Sequence, residues 1–301
     1  MVAKINLTFL GTADQIPSAS RNHSAILLDY AGEHILVDCG EGTQRQFRKA
    51  NLNPGKVTRI LITHWHADHV LGLAGLLHTM GSSGYNKTLY IYGPKWTKQY
   101  MRDLMKLFGI KLDFEVKVEE VSGKFLDLDD FYLEAAAMQH GIPTNAYNFV
   151  KKGQLRIDRA KLKKSKLPQG PLLKKLAEGK DISFKGKKYK AKSLTYKDDD
   201  VKVSFVLDTK NNEKIAKFAK GANVFVCESS FDDELEKKAS EHLHLTSGQA
   251  ARIAKKAKVE KLILTHLSMR YEHNTKLILS QAKKVFKNVE VAKDLDVINV
   301  C

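Results

Sequence analysis

The stretch Arg59-Ile60-Leu61-Ile62-Thr63-His64-Trp65-His66-Ala67-Asp68-His69 decides how this chain is read. Its first five residues are mostly apolar and β-branched, which predicts a buried strand. Its last six place three imidazoles and a carboxylate in the loop that follows. With residues 64 to 66 extended, the imidazoles of His64 and His66 share one face, because side chains alternate along a strand. Asp68 and His69, at the turn into the next helix, then serve a second point close by. Imidazole and carboxylate together suit zinc, manganese or iron, so one short loop of this kind can hold two metal ions.

Four residues do not saturate two ions, and the remaining ligands are sought at other strand ends. His140 follows the predicted strand Phe131–Gln139, Asp208 follows Val201–Leu207, and His266 follows Lys261–Thr265. Taken singly, Asp208 also reads as a helix cap, His140 as a turn residue and His266 as a packed imidazole. Taken together, they complete the set. Asp208 is the natural bridge, since a carboxylate offers two oxygens. Two metals ~3.5–4 Å apart stabilise both the attacking and the leaving oxygen in hydrolysis, particularly of phosphate esters.

Around this loop, strands are predicted over Lys4–Leu10, Ser24–Asp29, His34–Asp38, Val57–Thr63, Thr88–Tyr92 and Asp113–Val121, and in the second half also over Asn223–Cys227 and Val289–Val291. Helices are predicted over Thr43–Ala50, Val70–Met80, Thr97–Phe108, Asn212–Lys220, Thr246–Ala257 and Thr275–Val285. Thr246 and Gln249 have the spacing of a capping box, which sets one helix start. So many strands punctuated by helices imply two packed sheets with helices outside.

The 301 residues carry a formal charge of +16, and the charge is not spread evenly. Residues 151–192 hold 16 Lys and Arg against Asp158, Glu178 and Asp181, or +13, which leaves +3 for the rest. Leu167-Pro168-Gln169-Gly170-Pro171 forces a turn inside this segment, between two short helices or irregular pieces. The chain therefore reads as a single domain, 1–301, with an inserted basic arm over 151–192 and a polyanionic partner. No apolar run approaches the ~18 residues that span a bilayer, which excludes a membrane-spanning protein. Cys39, Cys227 and Cys301 are too few and too dispersed for a disulfide framework or a thiolate cluster, in keeping with a cytoplasmic protein.

The string His64-Trp65-His66-Ala67-Asp68-His69 resembles the HxHxDH signature of the metallo-β-lactamase superfamily. Further stretches narrow the resemblance to the ribonuclease Z family. They are Phe9-Leu10-Gly11-Thr12 with Ile16-Pro17 and Arg21-Asn22, then Asp38-Cys39-Gly40-Glu41-Gly42-Thr43-Gln44, then His140-Gly141-Ile142-Pro143, Asp208-Thr209, His244-Leu245-Thr246 and Leu264-Thr265-His266. The basic segment with its Pro-Gln-Gly-Pro turn is similar to the exosite arm of that family, and the resemblance covers essentially the whole chain.

The resemblance implies an α/β fold, the four-layer αββα sandwich of the metallo-β-lactamases with an inserted exosite arm. It implies a tRNA 3′-processing endoribonuclease that leaves a 3′-hydroxyl on the tRNA and a 5′-phosphate on the trailer. It also implies two Zn2+ per chain, with Mn2+ possible: His64, His66 and His140 at one ion, Asp68, His69 and His266 at the other, and Asp208 bridging. Asp68 would orient or deprotonate the attacking water. His244, just before a helix N-terminus, is the candidate proton donor to the leaving oxygen, with a plain surface histidine beside His242 as the alternative. Glu228 would orient His244.

Precursor tRNA is the implied partner, held by Arg21 near the cut and by Lys161, Lys163, Lys164, Gly170, Pro171, Lys174 and Lys175 of the arm, with the chain acting as a homodimer. Trp65 and Tyr147 are candidates either for stacking on bases or for packing. Two rivals remain: a di-zinc phosphodiesterase or ester hydrolase of a small molecule, which needs no basic arm, and a non-catalytic RNA-binding scaffold, which needs no complete ligand set.

Overall fold

In the computed structural model, which describes residues 4–165 and 167–300, the predicted N-terminal strands assemble into one sheet. β1 (Ile5–Gly11), β2 (Ala25–Tyr30), β3 (Glu33–Val37), β4 (Arg59–Leu61), β5 (Leu89–Gly93) and β6 (Val116–Glu120) lie side by side in that order. β1 to β3 pair antiparallel, and β3 to β6 run parallel. Parallel pairs need crossovers, and these are α1 (Thr43–Lys49), α2 (Ala67–Val70) with α3 (Leu73–Ser82), and α4 (Thr97–Leu107). Leu27, Leu36, Ile60 and Ile91 on one face of the sheet pack with Phe47 of α1, Leu73 and Leu77 of α3, and Met101 of α4.

Next along the chain come β7 (Gly123–Asp127), β8 (Phe131–Ala137) and β9 (Asn145–Lys151). The basic segment supplies β10 (Leu155–Ile157), α5 (Arg159–Ser165), α6 (Leu172–Ala177), β11 (Ile182–Phe184), β12 (Lys187–Tyr189), α7 (Ala191–Leu194) and β13 (Thr195–Lys197). After it follow β14 (Val201–Val206), α8 (Glu213–Phe218), β15 (Val224–Glu228), α9 (Glu236–Glu241), α10 (Ser247–Ala257), β16 (Lys261–Thr265), α11 (Thr275–Val285), β17 (Val289–Val291) and β18 (Val297–Val300). β18 joins the first sheet beside β1, and the second sheet has the order β17-β16-β15-β14-β9-β8-β7.

The second sheet repeats the logic of the first. Phe225, Leu262 and Leu264 pack with Ile215 of α8, Ala250 and Ala254 of α10, and Ile278 and Ala282 of α11. The alternate residues point the other way: Leu7, Phe9, Leu28 and Val37 of one sheet and Leu133, Phe149, Phe205 and Ile263 of the other are all buried. Tyr30 meets Phe149 edge-on at 5.4 Å, and the Tyr147 hydroxyl donates to Ile62 O at 2.7 Å. The two sheets are therefore face to face with helices outside, the four layers expected.

Three local differences from the predicted elements have physical causes. The predicted helix Val70–Met80 is α3, starting at Leu73, and the separate short α2 ends at Val70 before it. At Gly72 a Cβ would sit 2.1 Å from Gly40 O, so the chain there is pressed against the loop after β3. β9 was not predicted, because Asn145 and Asn148 are poor strand formers. Asn148 is nonetheless fully satisfied inside, donating to Glu134 Oε2 and Phe218 O and accepting from Ser204 Oγ. α9 lacks an apolar period and buries only Ala239.

The basic segment lies in a compact unit of its own, residues 127–132 and 150–201. Leu167, Leu176, Ile182, Ala191 and Leu194 are its buried core, with Leu162, Leu172, Leu173 and Phe184 packed against them. The two short helices flank the Pro168–Pro171 turn as predicted. The β11–β12 hairpin was not predicted; its turn residues Lys185 and Gly186 both have positive φ, 49° and 75°, as a two-residue hairpin turn demands. Lys161, Lys163, Lys164, Gly170, Pro171, Lys174 and Lys175 are all exposed. Lys166 and Cys301 lie outside the described residues.

Candidate metal centre

The site is built where strands of both sheets end. Asp38 follows β3, His64 to His69 follow β4, His140 follows β8, Asp208 follows β14, Glu228 ends β15 and His266 follows β16. Asp38, Asp208 and His266 have φ of 58°, 50° and 56°. Left-handed backbone at a non-glycine residue costs of order 1–3 kcal/mol. Three such residues at one spot mark a place where chain direction serves the side chains.

Around one point, His66 Nδ1 lies 3.0 Å from His64 Nε2 and 3.2 Å from His140 Nε2. Asp208 Oδ2 is 3.5 Å from His64 Nε2 and 3.8 Å from His140 Nε2. Around a second point, Asp68 Oδ2 lies 3.3 Å from both His69 Nε2 and His266 Nε2, which are 3.2 Å apart. Asp208 is there too, its Oδ2 3.5 Å from His69 Nε2 and its Oδ1 3.2 Å from His266 Nε2. The structure thus gathers all seven predicted ligands, with Asp208 common to both groups.

Proton positions test whether a cation fits. Thr63 Oγ1 donates to Asp38 Oδ2, so it accepts from His64 Nδ1 at 3.1 Å. His140 Nδ1 donates to Leu243 O at 3.2 Å, and His69 Nδ1 donates to Asp38 Oδ2 at 2.6 Å. Ser230 Oγ donates to Glu228 Oε2 at 3.0 Å, so it accepts from His266 Nδ1 at 2.9 Å. Each outward nitrogen therefore carries the hydrogen, which directs the inward lone pairs of His64 and His140 toward His66 and Asp208. Lone pairs gathered at such distances repel one another, and buried Asp208 Oδ1 has no hydrogen bond of acceptable geometry. A divalent cation at each point answers both, and second-sphere bonds of this kind are how proteins orient metal-binding imidazoles.

Around the first point the electrostatics favour neutral imidazoles. Burial first, and then the neighbouring imidazoles, hold His64 and His66 below the ordinary histidine range; burial does the same at His140. Neutral imidazole is the form that binds metal. Burial alone would raise Asp208 and Asp68, but His266 and His69 beside them outweigh it and keep both carboxyls ionised. Burial opposes charge on His69 and His266 as well, and there the surrounding carboxylates, Asp208 foremost, win and raise both.

His244 stands beside this set. Its Nδ1 is 3.0 Å from Glu228 Oε2, and Glu228, fully buried, also accepts from Thr209 N at 2.6 Å and Leu245 N at 3.2 Å. Burial opposes a charge on His244, but Glu228 and Asp208 outweigh it and push the imidazole up to about 9. A capping box starts α10 just beyond: Thr246 Oγ1 accepts from Gln249 N and Gln249 Oε1 from Thr246 N. His244 lines a cleft of about 600 Å3 together with His66, Asp68, His140, Asp208 and His266.

Arg21 is corrected. It is only 6% exposed, and its Nη1 donates to Thr12 Oγ1 and Ala292 O, so it ties loops together and does not line the cleft. Tyr147 is fully buried, and Trp65, partly buried, packs against the core outside the first sheet and donates to Thr97 Oγ1. Asp38 and Thr63 were quoted in the sequence reading without a role at the site, and Ser230 and the Leu243 carbonyl were passed over. Asp38 shared the strand-end position of the ligands and was detectable on that ground; Ser230 and Leu243 carried no such signal.

A family model described as Anti-Pycsar protein Apyc1 matches residues 5–117. Ribonuclease Z of Methanothermobacter thermautotrophicus is 40% identical over 298 residues, covering 98% of this chain and 97% of that protein. Among solved structures, human tRNase Z, short form, is 26% identical with a TM-score of 0.71, covering 98% and 99% of the two chains. The metallo-beta-lactamase fold protein YhfI from Bacillus subtilis is 19% identical with a TM-score of 0.72, covering 99% of each, a likeness of fold.

Proposed function

Because the chain belongs to the ribonuclease Z family, we propose that it is a tRNA 3′-processing endoribonuclease, and that its two ligand groups hold two zinc ions. The observation that carries this reading is the pair of ligand groups sharing Asp208 in a cleft that also presents His244. The His-rich donor set suits zinc, with manganese as the substitute. When bound, such ions neutralise phosphate charge and activate water near neutral pH. His64, His66 and His140 would hold one, Asp68, His69 and His266 the other, with Asp208 between.

The chain's own residues do the rest. Asp68 accepts a hydrogen bond from the attacking water, orients it toward phosphorus in line with the 3′ oxygen of the mature end, and takes the proton that the water gives up, passing it on to solvent. As the new phosphorus–oxygen bond forms and the bond to that oxygen breaks, His244 gives the oxygen its proton. Glu228 holds His244 charged and aimed. The products are a 3′-hydroxyl and a 5′-phosphate.

The basic unit is the tRNA-holding exosite of this reading: its exposed lysines neutralise backbone phosphates, and folded tRNA is recognised by shape. A homodimer, in which one copy's basic unit serves the other's cleft, and a cytoplasmic location complete the proposal; Cys39 and Cys227 are free and buried. Among the described residues no helix is long and apolar enough to cross a membrane. Incubation with a 3′-extended precursor tRNA, with and without chelator, tests the reading. A cut mapped to the mature 3′ end and lost with chelator is expected; a small phosphodiester hydrolysed while precursor tRNA stays intact would overturn it.

A further inference from the structure

The cleft wall that carries His244 also carries an exposed arginine. Arg270 is exposed and lines the cleft with Lys238 and His242. Its Nε donates to Ser268 Oγ at 3.2 Å, and its Cζ stands 5.2 Å from the centroid of the Phe231 ring. Phe231 is stacked with His242 at 6.2 Å and lies 6.1 Å from the His244 ring. Among the described residues, neither Arg270 nor Lys238 has a carboxylate within ion-pair distance.

A guanidinium held by its Nε and by an aromatic face keeps its two terminal nitrogens as a fork, the geometry that matches two oxygens of a phosphate. Direction along the RNA follows from the chemistry. His244 protonates the oxygen that stays with the tRNA, so the last retained nucleotide lies on the wall of His244. The phosphate at that nucleotide's other side would then lie along the same wall, on which Phe231 and Arg270 stand.

We propose that Arg270, assisted by Lys238, binds the phosphate on the 5′ side of the last retained nucleotide and thereby sets the position of the cut. This rests on the endoribonuclease reading and adds a specificity contact outside the ligand set. A small phosphodiester has no such second phosphate.

The test uses the full chain loaded with zinc and precursor tRNAs carrying one uncharged methylphosphonate. Placed at the proposed phosphate, it should lower kcat/KM of the wild-type protein about tenfold to a hundredfold, as for loss of a charged hydrogen-bonded pair. Arg270→Ala should lose a similar factor on native RNA and almost nothing more on the modified RNA. With the methylphosphonate moved to the 3′ side of the cut, the losses from variant and modification should multiply. Wild-type indifference to the first modification, or multiplying losses there, would overturn the proposal. The wild-type measurement decides even if Arg270→Ala does not fold. A wild-type protein that leaves native precursor tRNA uncut would instead bring down the endoribonuclease reading itself.

Discussion

Asp38 Oδ2 stands 2.6 Å from His69 Nδ1, while the same carboxylate accepts from Thr63 N and Thr63 Oγ1, each at 2.7 Å. One buried carboxylate thus fixes the tautomer of a ligand on one side and, through Thr63, the ring of His64 on the other. Asp38→Asn preserves shape but turns an acceptor into a donor facing donors. Metal affinity should fall roughly 10–100-fold, as for other partners of metal-binding imidazoles, measured by competition with a chromophoric chelator.

Asp208 belongs to both ligand groups. Native mass spectrometry should find close to two divalent ions per chain, and Asp208→Ala should lose both together. Because ions bind the folded state alone, loading at 100 times Kd adds about 2.7 kcal/mol of stability. Calorimetry should therefore show a rise in Tm of several degrees for the wild type and much less for the variant.

His244 is pushed up to about 9 by Glu228 and Asp208. As a proton donor it acts in its charged form, so its contribution is full below that value and lost as pH rises through it. Glu228→Gln removes the largest raising influence. The alkaline limb of kcat should then move to lower pH, while His244→Ala should cost about 10²–10⁴ in rate. A pH–rate profile that is unchanged in Glu228→Gln would remove Glu228 from this role.

In the basic unit β10 pairs with β13, and Asp198 N donates to Gln154 O at 2.9 Å. The ends of the segment are therefore adjacent, and residues 155–197 can be replaced by a short Gly-Ser link. Affinity for precursor tRNA should fall steeply. The slope of log affinity against log salt should flatten by about 0.7–0.9 for each phosphate contact removed. A filter-binding salt titration checks both.

Thr246 caps α10 through a reciprocal pair with Gln249. Thr246→Ala should destabilise the fold by about 0.5–2 kcal/mol, read as a lower midpoint in urea with an unchanged slope.

Much of the fold was legible because burial writes itself into periodicity. β16 and α11 have the predicted bounds, Lys261–Thr265 and Thr275–Val285, since each is an apolar pattern with clear ends. β9 escaped because its asparagines are satisfied only by Glu134, Phe218 and Ser204, partners that no local window contains. β18 escaped because its pairing with β1 spans nearly the whole chain.

The sequence by itself determined the ligand types, the positions of His64, His66, Asp68 and His69 in one loop, and the concentration of charge in residues 151–192. These are local properties, carried by residue identity and spacing. Only the tertiary structure decided that Asp208 is shared, that Asp38 and Ser230 set the tautomers of His69 and His266, and that Arg21 is buried while Arg270 faces the cleft. Hydrogen-bond direction and burial depend on which strand ends meet, and the packing of two sheets brings those ends together from opposite halves of the chain.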